Sequence, residues 1–493
     1  MKKQASIKKN FIMNAILTMS SFIFPLLTFP YISRILLPEG TGKVSFATSV
    51  ISYFSLFAQL GIPTYGIRAC AQVRDNKEEL SRVTQELLII NLLTSLLAYA
   101  ALAVALIAVP RLRAERTLYL IVSVTILMNA IGMEWLYKGL EQYTYITIRS
   151  VAFKAVAVAA MFFLIRQQSD YVVYGGISVF ASCASSVMNF FHARRLIVMR
   201  PVGHYNFRRH MKAIGVFFAM SCATTIYTNL DKVMLGFMAS DADVGYYDAA
   251  TKVKTILVSV VTSLGTVLLP RASYYVEKGM KEEFCRITAR ALNFVWLVAA
   301  PLTLYFMIFA SQSVYLLSGK AYIGAILPMQ LILPTLLLVG FSNITGIQIL
   351  VPTGREKRVL YSEIAGALTD LFLNALLIPL LQSAGAAIGT LVAEAVVLAV
   401  QLWVLRGEVL YSFRKLPYLK SFIALMLAVL ASVWIPTIQV FGENTLGYFE
   451  TLFFSAICFF IVYWAVLLVC RESLTTELTK QMLNRIHRFM RNR

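Results

Sequence analysis

An all-α integral membrane protein of about fourteen transmembrane helices is predicted by three observations. Only 14% of the 493 residues are charged while 58% are hydrophobic, and a soluble particle of this size ordinarily carries about 25% charged residues. Apolar runs of about 20 residues, the length that crosses a bilayer, recur from one end of the chain to the other. Lysine and arginine fall between those runs with a strong bias to alternate loops. The short alternating segments of a β-barrel are not seen.

Taken in order, the spans read as 10–35, 44–62, 87–109, 117–137, 146–165, 171–191 and 214–237, then 247–269, 292–310, 325–351, 360–381, 384–405, 419–438 and 446–469. The first follows Met1-Lys2-Lys3 as the core of a signal peptide would. Its apolar part is too long for one and continues through Pro25 and Pro30, so an uncleaved first helix is expected. All loops are short. The longest, HARRLIVMRPVGHYNFRRHMK (192–212), gives a basic cytoplasmic linker at 193–213. It separates an N-lobe of helices 1–6 (residues 1–192) from a C-lobe of helices 7–12 (214–405). Gly42, Ala47, Arg68 and Ala69 return 203 residues later as Gly245, Ala250, Arg271 and Ala272. That offset suggests two six-helix lobes of like orientation, a common build for secondary transporters. Helices 13 and 14 (406–470) are appended. The tail, 471–493, puts Leu474, Leu478, Met482, Ile486 and Phe489 on one helical stripe, with Lys480, Arg485, Arg488 and Arg491 on the other faces. Such a helix lies on a membrane surface and is drawn to anionic lipid.

The net charge of +20 has a topological meaning. With the N-terminus in the cytoplasm, 33 of the 45 lysines and arginines fall in cytoplasmic segments, 7 in outer loops and 5 inside spans. Both termini are therefore expected to be cytoplasmic. Arg111, Arg113 and Arg116 stand against this bias. A nucleic-acid partner is not expected. The six cysteines form no CxxC and the four histidines show no ligand spacing, so neither a metal nor any other cofactor is expected.

Several spans are less apolar than lipid requires. In SCATTIYTNLDKVMLG (221–236), Ser221, Thr224, Thr228 and Asp231 fall on one helical stripe, with Thr225, Asn229 and Lys232 beside it. Lys252, Thr255, Ser259, Thr262 and Thr266 form a second stripe, from which Lys254 is turned away. Glu363, Gly366, Asp370 and Asn374 form a third. A lone Ser or Thr bonds its own backbone and aids helix packing. An ionised group near a helix centre costs about 2.5–3.5 kcal/mol, so stripes carrying charges on three helices point to a water-filled cavity. Asp231 and Lys252 lie equally far from the turn near 241–242 and are expected to pair. Asp231, Asp370 and Glu394 are candidate ion-coupling groups. The chain has no paired-carboxylate motif, P-loop or nucleophile elbow, so a transporter driven by gradients is expected rather than an enzyme. Basic groups facing a cavity suit an anionic ligand.

FPYISRILLPEGTGKVSFA (29–47), NLDKVMLGFMASDADVGYYDAATKV (229–253), NITGIQILVPTGREK (343–357) and DLFLNALLIPLLQSAGAAIGTLVAE (370–394) resemble, in register, the bacterial polysaccharide repeat-unit flippases. These belong to the multidrug/oligosaccharidyl-lipid/polysaccharide exporter superfamily. The resemblance covers essentially the whole chain. It implies a flippase in the plasma (inner) membrane of a bacterium, moving an undecaprenyl-diphosphate-linked oligosaccharide outward for capsule, O-antigen or exopolysaccharide assembly. Two six-helix bundles would alternate access to a central cationic cavity. An essential arginine of the related lipid II flippase falls, by its tyrosine and alanine context, on Lys252; a lysine there lacks the bidentate fork. Arg34 and Arg68 match cationic positions of the family. The substrate-binding candidates are Lys252, Asp231, Asn229, Arg34, Arg68, Thr255 and Ser259. Implied partners are the lipid-linked oligosaccharide, membrane lipids and a glycan polymerase or export machinery. The alternatives are a lipid II flippase or a cation-coupled multidrug exporter of the same superfamily. A membrane-bound polymerase or glycosyltransferase is disfavoured by the short loops.

Overall fold

The computed structural model describes residues 7–437, 442 and 444–491. Lys2, Lys3 and the last residue of the thirteenth span lie outside the described residues, as do the side chains of Thr266, Arg485, Ile486, Arg488, Phe489 and Arg491. Among the described residues every regular element is a helix. Ten helices are long and apolar enough to cross a membrane, or twelve when two bent pairs, Asp241–Ser263 with Leu268–Glu277 and Lys320–Ile332 with Thr335–Leu350, each count once.

The two longest helices, Ile7–Gln59 and Glu356–Val404, each contain one residue outside helical geometry: Leu37 (φ 59°, ψ 176°) and Gln382 (φ 52°, ψ −128°). Both mark reversals of the chain. Before Leu37 the chain runs parallel to the helix Tyr143–Leu164, with Thr147 donating to the Met13 carbonyl and Tyr31 to that of Ile165. After it, the chain runs antiparallel to Arg208–Met238, with Phe46 against Gly236 and Gly61 against Phe217. Both of those reference helices start at the 192–212 linker, where Tyr145 stacks on His192, so the direction has changed at Leu37. In the second helix Gln401 donates to Ser362, Gly389 lies against Asn374 and Gly385 against Leu377. These pairs close symmetrically on Gln382, as a hairpin requires. Each of these two helices therefore holds two of the predicted spans.

The chain divides into two compact units, Met1–Gly245 and Tyr246–Arg493. The first shows how lipid replaces water as solvent. On the helix Lys77–Ala108, Leu93, Leu96, Leu97, Val104 and Ile107 are exposed while Glu86, Asn91 and Ser95 are buried. In a bilayer this is the stable arrangement, because apolar side chains cost nothing in lipid and polar ones need partners. Arg208–Met238 packs on the second limb of Ile7–Gln59 and on Ile62–Gln72. Gly61, at φ +73°, permits that approach: a side chain there would collide with the backbone of Phe217 and Phe218. The linker is strapped down as well. Gln85 donates to the carbonyls of Val198 (2.7 Å) and Arg200 (2.9 Å) and accepts from Tyr205 Oη. Glu86 accepts from the Asn206 N–H.

In the second unit, Leu297 and Tyr305 of Lys281–Ile308, and Phe309 just after it, pack with Ala424 and Ala428 of Tyr418–Ser432 and with Phe459 and Tyr463 of Thr445–Val469. The tail helix Ser473–Arg491 joins this cluster through buried Leu474 and half-buried Leu478, whereas Met482 is exposed. Its first turn is fixed by Glu472, which accepts from Asn293 (2.9 Å) and from the N–H of Thr475 (2.7 Å).

Candidate functional site

The polar face of Arg208–Met238 opens on a cavity of about 380 Å³ inside the first unit. Ser221, Thr225 and Asn229 line it, at i, +4 and +8. Thr48, Ser52, Ser55 and Gln59 line it from the second limb of the first hairpin, and Thr125 and Asn129 from Arg116–Gly132. Nine of the fourteen lining residues carry a hydroxyl or an amide, and none ionises. The expected stripe is therefore displaced by one step around the helix. Thr224 and Thr228 are exposed and bond the carbonyls of Met220 and Thr224. Asp231 is 8% exposed and is not among the lining residues. The cause is packing: Phe217 against Gly61 and Gly236 against Phe46 turn the Ser221–Thr225–Asn229 edge inward.

The hydroxyls and amides at 48, 52, 55 and 59 were not anticipated. Their i, +4, +7, +11 spacing is as regular as that of the other stripes. No charge ends it, and charge was the signal used to choose stripes.

In the second unit Lys252 is held by a carboxylate of its own helix. Its Nζ lies 2.7 Å from Asp248 Oδ2, an i, i+4 pair, with side-chain exposures of 30% and 8%. Asp248 is a partner of Lys252 that the sequence analysis did not name. Thr255 and Ser259 continue the face as exposed residues whose hydroxyls bond the carbonyls of Thr251 and Ile256. Lys254 forms no ion pair among the described residues. Asp370 and Asn374 are 3% and 0% exposed, and the returning limb of the hairpin brings Gly389 against them. Glu394, on the returning limb, is 5% exposed. Gly366, Asp370 and Asn374 of the third stripe thus lie where one limb packs on the other, whereas Glu363 is exposed.

Of the remaining cationic candidates, Arg34 is half-buried and folds back to donate to the Pro30 carbonyl of its own helix. Arg68 is exposed on Ile62–Gln72. Arg111, one of three arginines that run against the charge bias, is a structural clamp. It donates to the Gly236 carbonyl (3.0 Å), pairs with Asp241 (2.5 Å) and covers the Phe46 ring. Nearby, Lys43 pairs with Glu115 at 2.9 Å and Tyr171 donates to the same carboxylate.

Paired membrane hairpins, a neutral hydrogen-bonding cavity within one unit and a lysine–aspartate pair in the other describe a multi-pass, all-helical membrane protein. A solved structure of the lipid II flippase MurJ in an inward closed conformation shares the fold, with a TM-score of 0.69 at 14% identity over 94% of this chain and 100% of that one. An inward-facing multidrug resistance MATE transporter gives 0.60 over 82% and 99%. The chain belongs to the polysaccharide biosynthesis protein family, whose sequence pattern matches residues 7–276. The MatE pattern matches residues 217–376. A protein of Escherichia coli K12 named "Putative O-antigen transporter" is 23% identical over 409 residues, 82% of this chain and 97% of its own length. One of the same name from Shigella dysenteriae is 25% identical over 74% of this chain and 91% of its own. These relatives and structural neighbours are named as transporters or flippases.

Proposed function

We propose that the protein flips an undecaprenyl-diphosphate-linked oligosaccharide across the plasma membrane of a bacterium, by alternating access of two repeats at 1–192 and 214–405. The observation that carries this reading is the neutral cavity. Hydroxyls and amides on three helices supply donors and acceptors for sugar hydroxyls, with no carboxylate for a cationic drug. The names of the O-antigen relatives favour the same class of cargo. Lys252, the one charged residue carried over from the lipid II flippase resemblance, would meet the diphosphate, with Asp248 holding its ammonium in place. Buried Asp231, Asp370 and Glu394 are the groups for coupling to an ion. Helices 13 and 14 would wall the lipid tail, and a glycan polymerase would take the product.

The test is complementation of a flippase-null strain, with surface glycan and membrane abundance measured together. A charge-assisted contact is worth about 1.5–3 kcal/mol, so Lys252→Ala should slow flipping about tenfold or more. Lys252→Arg should function and Lys254→Ala should be mild. Because Lys252→Ala strands Asp248, the double variant Asp248→Asn/Lys252→Ala separates lost binding from a stranded charge. Equal phenotypes for Lys252→Ala and Lys254→Ala at normal abundance would defeat the assignment.

A further inference from the structure

A second cavity lies on the outside of the first unit. It is a groove of about 420 Å³ between the helices Tyr143–Leu164 and Tyr171–Ala193. Ile148, Ala152, Phe153, Val156 and Met188 line it together with Tyr145 and Arg149. Ile148, Val156 and Met188 are 62%, 55% and 48% exposed, so on a membrane helix they face hydrocarbon. Arg149, by contrast, is 7% exposed.

The guanidinium is fixed in place but not neutralised. Nη1 donates to Asn189 Oδ1, the ring of Tyr145 lies beneath it at 5.0 Å, and Asn189 is itself held by Tyr137 on its carbonyl. Nε is buried with no hydrogen-bond partner, and Arg149 forms no ion pair among the described residues. A buried, unpaired cation is strongly unfavourable in lipid. The chain nevertheless anchors it with three aromatic and amide side chains, the arrangement of a prepared anion site.

We propose that this groove binds an anionic phospholipid of the surrounding bilayer, its phosphodiester on Arg149 and one acyl chain along Ile148, Ala152, Val156 and Met188. An inorganic anion would leave those apolar walls uncovered, so the anion must arrive with hydrocarbon attached. One guanidinium with no second cation in the groove matches the single charge of a phosphodiester. A diphosphate would carry surplus charge. Phosphate is the anion the planar guanidinium suits best. Arg149 sits at the linker end of the groove, over Tyr145, which stacks on His192 with ring centroids 4.2 Å apart. The lipid therefore belongs to the leaflet on that side. The site is separate from the neutral cavity and does not depend on the transported substrate.

The test is native mass spectrometry of the full-length protein, titrated with phosphatidylglycerol and with phosphatidylethanolamine of the same acyl chains. Wild type should take up phosphatidylglycerol preferentially. Arg149→Gln should bind it at least about tenfold more weakly, the loss expected of a charge-assisted contact. Ala152→Trp, which fills the groove from an exposed position and keeps the arginine, should weaken it similarly and answers the question if Arg149→Gln fails to fold. Lys154→Gln, on the same helix but bonded to Ser20 and Ser21, should bind normally. Equal uptake of the two lipids, or unchanged uptake in Arg149→Gln and Ala152→Trp, would overturn the proposal. So would undecaprenyl diphosphate displacing phosphatidylglycerol from wild type but not from Ala152→Trp.

Discussion

Glu86 shows what one buried charge can do in this molecule. Its carboxylate is fully buried, yet four donors reach it: the Asn206 N–H at 2.6 Å, Arg209 Nε and Nη2 at 3.0 and 2.6 Å, and His210 Nε2 at 2.7 Å. Tyr65 Oη bonds the other ring nitrogen of His210 at 2.7 Å. The linker and the first turn of Arg208–Met238 are thereby tied to Lys77–Ala108. Removing one partner of such a set costs about 3–5 kcal/mol, because the others stay buried without it. Glu86→Ala should therefore lower the thermal midpoint in detergent markedly and speed hydrogen exchange across 196–210. Unchanged exchange there would show that the strap is held by something else. The cavity gives a second residue-scale expectation. Thr225→Val with Asn229→Leu removes two hydrogen-bonding groups from its wall, each worth about 0.5–1.5 kcal/mol. Surface glycan should fall at normal abundance, whereas Thr224→Val with Thr228→Val, on the exposed edge, should leave it unchanged.

Among the elements, the spans were legible because an apolar run of the right length has few alternatives. Their joints were less so. Leu37 and Gln382 reverse the chain with no glycine to announce it. The choice between adjacent polar edges of Arg208–Met238 is made by Gly61 and Phe46, far away in sequence. Asp248 was equally visible at i, i+4 from Lys252 and was missed because a partner was sought on another helix. The tail is a clearer case: its amphipathic stripe could be read directly, but the buried carboxylate that fixes it could not. Burial pushes the Glu472 carboxyl up, and hydrogen bonds from the Thr475 N–H and Asn293 outweigh that and hold it below its ordinary value. A depressed carboxyl contributes to docking above its unfolded pKa, about 4.3 for Glu, and loses that contribution as pH falls through the lower folded value. Proteolysis of the tail should thus be unchanged from pH 8 to 5 and accelerate below about pH 4. Glu472→Gln should show the fast rate at every pH. Deleting residues 476–493 keeps Glu472 and Leu474, so we expect surface glycan to survive it if the protein inserts.

At the scale of the whole molecule the open question is orientation, and the charge pattern makes a firm statement about it. Lysine and arginine crowd the segments assigned to the cytoplasm, which is how positive charge resists translocation. The exceptions at the outer side weaken that statement only if they are free charges competing for the cytoplasm. Arg111 is not: Asp241, the Gly236 carbonyl and the Phe46 ring absorb it. Lys43 is likewise paired with Glu115. With Arg111 and Lys43 accounted for, the 192–212 linker, the longest loop, with six lysines and arginines, should face the cytoplasm. His204 is the place to ask, because it is exposed at the linker's turn (φ 51°) while its neighbour Tyr205 is tied to Gln85. In a variant with the six native cysteines replaced, His204→Cys should resist a membrane-impermeant maleimide added to intact cells and react once the cells are permeabilised. Outer-loop controls such as Ser169→Cys, in the exposed turn before Tyr171–Ala193, should react in intact cells. Reversal of the two results would invert the molecule. The neutral cavity would keep its chemistry, Arg149 would face lipids of the outer leaflet, and the direction of flipping would have to be reassigned.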